Sequence, residues 1–174
     1  HYTRAGLPVV RIPPTLDVKS TAAGQGGSGD RLTLVYAGTP GRKDLLGAVL
    51  HAVALVDPNG ERLRLEIYGP GPEDLKIYGV PAIPSSVTAH GSVRQDAAMA
   101  GVAAADFSIL MRRPDKVATA GFPTKFVESL AVGTPVIATL TSDLADHLVD
   151  GENGLICEDA SPETVARVLE RALA

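Results

Sequence analysis

Three observations predict an α/β protein with a doubly wound, Rossmann-like parallel sheet. From Arg31 to the C-terminus, short apolar or β-branched runs alternate with segments of helical periodicity. The connections are short, as right-handed strand–helix–strand units require. Several of the apolar runs are almost continuous, as strands covered on both faces should be.

The first strand is read at Leu32–Ala37 (LTLVYA). A helix follows at Lys43–Leu55, where Leu45, Leu46, Val49, Leu50, Val53 and Ala54 recur at i, i+3 and i+4. A strand at Leu63–Tyr68 leads into a helix at Pro72–Tyr78, and a strand at Ser86–His90 into one at Arg94–Ala104. After a strand at Asp106–Met111 comes a helix at Pro123–Val132; Pro123 suits a first turn, where its missing N–H costs nothing. Gly133 and Pro135 end that helix and open a strand at Pro135–Thr139. The remaining elements are a helix at Asp143–Val149, a strand at Gly154–Cys157 and a helix at Pro162–Leu173.

Residues 1–30 read differently. Leu7–Pro14 is a short extended run closed by Pro-Pro, and Ala22–Asp30 (AAGQGGSGD) is a flexible Gly/Ser-rich stretch. They are assigned as an interdomain connection, and 31–174 as the folded domain. His1 stands where a methionine would open a chain, so the sequence is expected to be a piece of a longer polypeptide.

With 174 residues, 45% hydrophobic and 21% charged, the chain has the size and composition of one domain with a buried core. A net charge of −4 argues against a nucleic-acid-binding surface but leaves room for a local phosphate pocket. No stretch approaches the roughly 18–20 apolar residues of a membrane span. The one cysteine, Cys157, cannot form an internal disulfide; it is expected to be buried and inert in a reducing, cytoplasmic setting.

Open parallel sheets bind ligands at the carboxyl ends of their strands, where the strand order reverses. The loops of interest are therefore 38–43, 69–72, 91–94, 112–123 and 139–142. Gly24–Gly29 satisfies G-x-G-x-x-G, but a Pro-rich segment precedes it and a strand follows, so it is read as linker and not as a dinucleotide fingerprint. Tyr36–Asp44 puts Gly38 and Gly41 at a strand exit, with Arg42 and Lys43 at the expected helix start. Cations are disfavoured there unless an anion is bound. Lys43 could neutralise a diphosphate, or the pair could be solvated at a turn.

The most informative segment is Ala120–Ala138 (AGFPTKFVESLAVGTPVIA). Free amides around Gly121, Phe122, Thr124 and Lys125 would make an anion site at a helix amino end. Glu128, one turn further in, could accept both hydroxyls of a ribose diol. Taken alone, Glu128 reads as an ordinary helical glutamate and Lys125 as a surface charge.

The order G-F-P-T-K-F-V-E-S-L-A-x-G-T-P-V-I resembles the nucleotide-sugar signature of the family-4 (group 1) glycosyltransferases of the GT-B fold. Tyr36–Lys43, Leu65–Pro72, Val87–Val93, Ala104–Leu110 and Asp150–Ile156 resemble further family segments in matching order. The resemblance covers Leu32 to the C-terminus. It implies the C-terminal, donor-binding half of a retaining enzyme that transfers a sugar from a UDP- or GDP-type donor, with bacterial glycan, polysaccharide or glycolipid synthesis as the context. Lys43 and Arg42 would stabilise the diphosphate, with Gly41 in their loop. Around Pro123, the backbone amides of Gly121, Phe122, Thr124 and Lys125 would hold the distal phosphate, Glu128 the ribose, and His90 and Val93 the base side. No metal or resident cofactor is implied; His51, His90 and His147 are dispersed. The partner would be an N-terminal acceptor-binding domain of the same polypeptide, which would also carry any peripheral contact with the inner membrane face.

The sequence departs from the family at Ala120, where a glutamate near the transferred sugar is usual, at Thr39, where an arginine is, and at Ser92, where many members carry arginine. Arg42 or Arg112 could replace the missing arginine. Arg112, Arg113, Asp115 and Lys116 are otherwise read as a charged loop, Asp143 and Asp146 as helix-cap partners, and Tyr78, Phe107 and Phe126 as packing residues. Two other readings stay open: half of a GT-B-like epimerase or phosphorylase, and a non-catalytic nucleotide-binding module.

Overall fold

A computed structural model of the chain describes Leu16, Gly26 and residues 29–174. The Leu7–Pro14 run and most of the Ala22–Asp30 segment lie outside the described residues. Six parallel strands form one sheet in the order β3-β2-β1-β4-β5-β6. They are β1 (Leu32–Ala37), β2 (Leu63–Tyr68), β3 (Val87–Gly91), β4 (Phe107–Leu110), β5 (Val136–Thr139) and β6 (Gly154–Cys157). The helices are α1 (Leu46–Val56), α2 (Gln95–Ala103), the single turn α3 (Lys116–Thr119), α4 (Thr124–Ala131) and α5 (Pro162–Ala172).

Side-chain alternation along the strands sorts the helices into two layers. Leu34, Tyr36, Leu63, Leu65, Ile67, Ile109 and Ile137 point to one face and pack with α1 and α5. Val35 meets Val102 and Val132 on the other, and Leu110, Val136 and Ala138 meet Phe126 of α4. The order reverses between β1 and β4, which places a crevice at their carboxyl ends between the loops that follow them.

Three expectations change. Two-sided coverage does not hold at the β2–β3 edge, where Arg64, Glu66 and Tyr68 alternate with buried Leu63, Leu65 and Ile67. This polar face borders a cavity of about 630 Å³ lined by Arg31, Thr33, Arg64, Glu66 and Tyr68 among others. The segment expected as a helix at Pro72–Tyr78 is a 3-10 stretch, Glu73–Tyr78, ended by Gly79 in the left-handed region and followed by Pro81 and Pro84. That expected at Asp143–Val149 shrinks to a 3-10 turn, Leu144–Asp146. The Asn153 side chain holds the Val149 amide and the His147 carbonyl, at 2.8 Å each, and so stops the helix. Asp143 does not cap this turn through its side chain. Cys157 is buried as expected, and burial pushes its thiol up to about 12.

The turn from α1 into β2 is built on Asp57, whose buried carboxylate accepts from the amides of Glu61, Arg62 and Leu63 at 2.9, 3.0 and 2.9 Å. Burial opposes ionisation of Asp57, but these amides, with that of Gly60, outweigh it and hold the carboxyl below its usual range. The stabilisation is therefore present above the unfolded-state pKa of roughly 3.9 and lost as pH falls through the lower folded value. Asp57→Ala strands several amides; it is expected to cost about 2–3 kcal/mol in urea denaturation at pH 7, and less as the pH is taken below about 4.

Candidate functional site

The floor of the crevice is backbone. Gly38 and Gly69, at the ends of β1 and β2, both have φ of 129°, which side-chain-bearing residues rarely adopt. The Gly38 amide donates to the Tyr68 carbonyl and the Gly69 amide to the Gly91 carbonyl, each at 2.8 Å. A Cβ on Gly69 would run into the Gly38 carbonyl, so the strand exits can pack this closely only as glycine.

Lys43 does not open a helix. α1 begins at Leu46, because the residues before it are tied to the β4 exit. Asp44 pairs with Arg112 in an isolated antiparallel bridge, the Leu45 amide donates to the Met111 carbonyl (2.9 Å), and the Arg113 amide to the Lys43 carbonyl (3.0 Å). The Asp44 carboxylate also accepts from the Gly41 amide at 2.8 Å and so closes the turn carrying Arg42. Arg42 is exposed, and Lys43 partly so.

Beneath this loop lies the Asp44–Arg112 ion pair, Nε to Oδ1 3.4 Å, with side chains only 5% and 6% exposed. Its contact is incomplete: among the described residues Arg112 Nε and Nη1 and Asp44 Oδ1 have no hydrogen-bond partner, nor has the nearby Tyr36 hydroxyl. Arg112, read in the sequence as part of a charged loop, is thus buried. Its backbone is fixed by Thr139, whose hydroxyl accepts from the Arg112 amide (2.9 Å) and donates to its carbonyl (2.8 Å).

The other wall is the segment from Arg112 to α4. It contains α3, in a stretch the sequence reads as loop; the Asp115 carboxylate caps it by accepting from Val117 and Ala118. Ala120 follows at its end, and beside Gly121 an added Cβ would meet nothing within 4 Å. α4 then starts at Thr124 behind Pro123, and no side chain caps it; the Phe126 amide donates to the Pro123 carbonyl (3.0 Å), and those of Thr124 and Lys125 are left for another partner. Phe122 turns inward to ring contacts with Phe126 (6.1 Å) and His147 (5.3 Å), so it offers only its backbone.

The position of Lys125 differs from a surface charge. Its stem crosses the β1 exit so closely that a Cβ on Gly38 would lie 2.6 Å from Nζ, and the ammonium sits 4.7 Å from the Tyr36 ring centroid. Burial is the chief cause lowering its proton affinity. Asp44 and Glu128 oppose that shift, Arg112 and Lys43 reinforce it. Lys43, Asp44, Arg112, Lys125 and Glu128 therefore share one crevice. The cation–π contact offsets only about 0.5–2 kcal/mol of the desolvation of that ammonium.

His90 and Val93 lie apart from this group. The His90 ring stacks on Tyr68 (centroids 4.4 Å apart) and bonds Glu66 Oε2 at 2.6 Å, on the polar β2–β3 face. Val93 is exposed in the β3–α2 loop. The side chains of Lys125 and Arg112 were the functional candidates that sequence reasoning underweighted. The signal for Lys125 was available, since the argument against cations at a helix amino end applies to it as it did to Lys43.

The comparisons bear on this geometry. A family model described as glycosyl transferases group 1 matches residues 31–174. Similar solved structures include the lipopolysaccharide outer core galactosyltransferase WaaB in its apo form (19% identity, TM-score 0.71, covering 95% of this chain and 46% of that one). The Anabaena protein Alr3699/HepE in complex with UDP and glucose is 15% identical, with TM-score 0.62, covering 82% of this chain and 39% of that one. Sucrose-phosphate synthase from Thermosynechococcus elongatus is 21% identical, with TM-score 0.60, covering 83% and 36%. The chain thus spans less than half the length of each of these proteins. No curated protein matches the sequence. No described helix is long and apolar enough to cross a membrane.

Asp44→Ala leaves Arg112 buried without its acid. A loss of about 3 kcal/mol in urea denaturation is expected, whereas Arg94→Ala, which removes the exposed Arg94–Asp96 pair, should leave the denaturation midpoint unchanged.

Proposed function

The chain belongs to the group 1 glycosyltransferases, and from that premise we propose that it is the donor-binding half of an enzyme that moves a sugar from a UDP- or GDP-type nucleotide donor to an acceptor hydroxyl. The observation that carries the reading is the convergence, at the β1/β4 reversal, of cations, an uncapped helix amino end and the Glu128 carboxylate. The solved relative with UDP and glucose bound shares the fold and supports this reading.

In transfer, the bond from the anomeric carbon to the distal phosphate oxygen breaks, and its electron pair stays on that oxygen. Lys43 and Arg42 offset the growing charge, with the free amides of Gly121, Phe122 and Thr124 as further donors. Such stabilisation is preorganised, since the loop is stitched to β4 before any ligand arrives. Glu128 takes the ribose diol. The loop after β3, Gly91–Arg94, faces the base through its backbone, the His90 ring being held by Tyr68 and Glu66. The reading assigns no resident metal or cofactor to this half. The acceptor site, any membrane-surface contact and retention of configuration belong to the whole enzyme, with an N-terminal domain as partner and bacterial glycan, polysaccharide or glycolipid synthesis as its setting.

Titration calorimetry on this chain tests the proposal. UDP or GDP is expected to bind weakly, with no sugar turnover. Glu128→Ala should weaken uridine and UDP alike, by about tenfold, whereas Lys43→Ala should weaken only UDP. Equal losses for uridine and UDP in the lysine variant would overturn its assigned role, and no heat with either nucleotide would favour a non-catalytic module whose cleft has decayed.

A further inference from the structure

We propose that the Lys125 side chain, and not only its backbone amide, contacts the donor at its terminal phosphoryl group; the inference rests on the donor-site reading above. Three independent features of the geometry converge on it.

The first is the path of the side chain. Lys125 is the second residue of α4, and its stem runs back across the β1 exit over Gly38, where a Cβ would leave it no room. That path takes the ammonium from α4 across the crevice floor to the Tyr36 ring at the end of β1.

The second is its company. Among the described residues the ammonium has no hydrogen bond and no ion pair; its recorded contact is the face of Tyr36. The charged groups that act on it are Asp44 and Lys43 from the β1–α1 loop, Arg112 from the β4 exit and Glu128 from its own helix. Asp44 is already engaged by the Gly41 amide and by Arg112. Three cations therefore face one committed carboxylate and Glu128, a balance that an added anion would correct.

The third is Arg112 itself, buried with Nε and Nη1 unpartnered beneath the same crevice. Its positive charge cannot be screened by water there, so it raises the potential at the spot the Lys125 ammonium occupies. Arg112 acts through this field and through its grip on Asp44, as a positioning residue. The α4 amides and the Lys125 ammonium issue from the same first turn, so one phosphoryl group can receive both.

The test compares uridine, UMP and UDP on the 174-residue chain by titration calorimetry, with Lys125→Met and Lys125→Arg alongside the unaltered protein. Lys125→Met is expected to lower UDP affinity tenfold or more and to leave uridine and UMP within twofold, while Lys125→Arg recovers part of the loss. A second measurement does not depend on how the variants fold. With limited acetic anhydride, mass spectrometry should find Lys125 protected by UDP and not by uridine, and the exposed Lys76 and Lys116 protected by neither. Unchanged UDP affinity in Lys125→Met, or no protection of Lys125 by UDP that the unaltered chain binds, overturns this inference alone. Absence of binding to both UDP and GDP by the unaltered chain overturns the donor-site reading and this inference with it.

Discussion

The buried contact between Asp44 and Arg112 is the constraint on which the crevice depends. The strand order reverses between β1 and β4, and a parallel sheet supplies no hairpin to hold the two following loops together. The bridge at Asp44 and Arg112, with the Leu45–Met111 and Lys43–Arg113 hydrogen bonds beside it, performs that task. It also delays α1 to Leu46 and leaves Lys43 in a turn. A buried pair with unpartnered atoms is a poor device for stability, since desolvation offsets much of its attraction. Its value here lies in geometry, because it sets where the loop cations sit relative to α4.

Around that pair the electrostatics are unbalanced in one direction. Arg112, Lys125 and Lys43 act on each other against the few acids nearby, and the uncapped start of α4 adds its partial positive charge. Such concentration of one sign costs folding free energy, and turns to use only when an anion arrives. Gly38 and Gly69 serve the same end sterically: without side chains at the strand exits, the Lys125 stem and a ligand can approach the backbone. The overall charge of −4 gave no hint of this local surplus, because net charge averages over the whole surface.

The polar face of β2 and β3 is separate from the crevice. Glu66, Tyr68 and His90 engage one another there, so the His90 imidazole is committed to a stack and a hydrogen bond. A base could still approach the loop at Gly91–Arg94 through its backbone. In β2 the alternation of Leu63, Leu65 and Ile67 with Arg64 and Glu66 was the mark of this one-sided strand, and continuity of apolar residues was the weaker guide.

Sequence alone determined the alternation of strands and helices and the doubly wound class. Strand and helix periods are local properties, and right-handed crossovers with short loops leave few ways to assemble them. It also set out the stretch from Gly121 to Glu128, because Pro123, the helical register and the placement of Glu128 all lie within one turn or two. What only the tertiary structure decided was which charges meet. Lys125 and Gly38 are 87 positions apart, as their numbers show, and Asp44 and Arg112 are 68 apart. Their juxtaposition follows from the strand-order reversal and from burial, and neither a period nor a motif encodes a distance between loops on different strands.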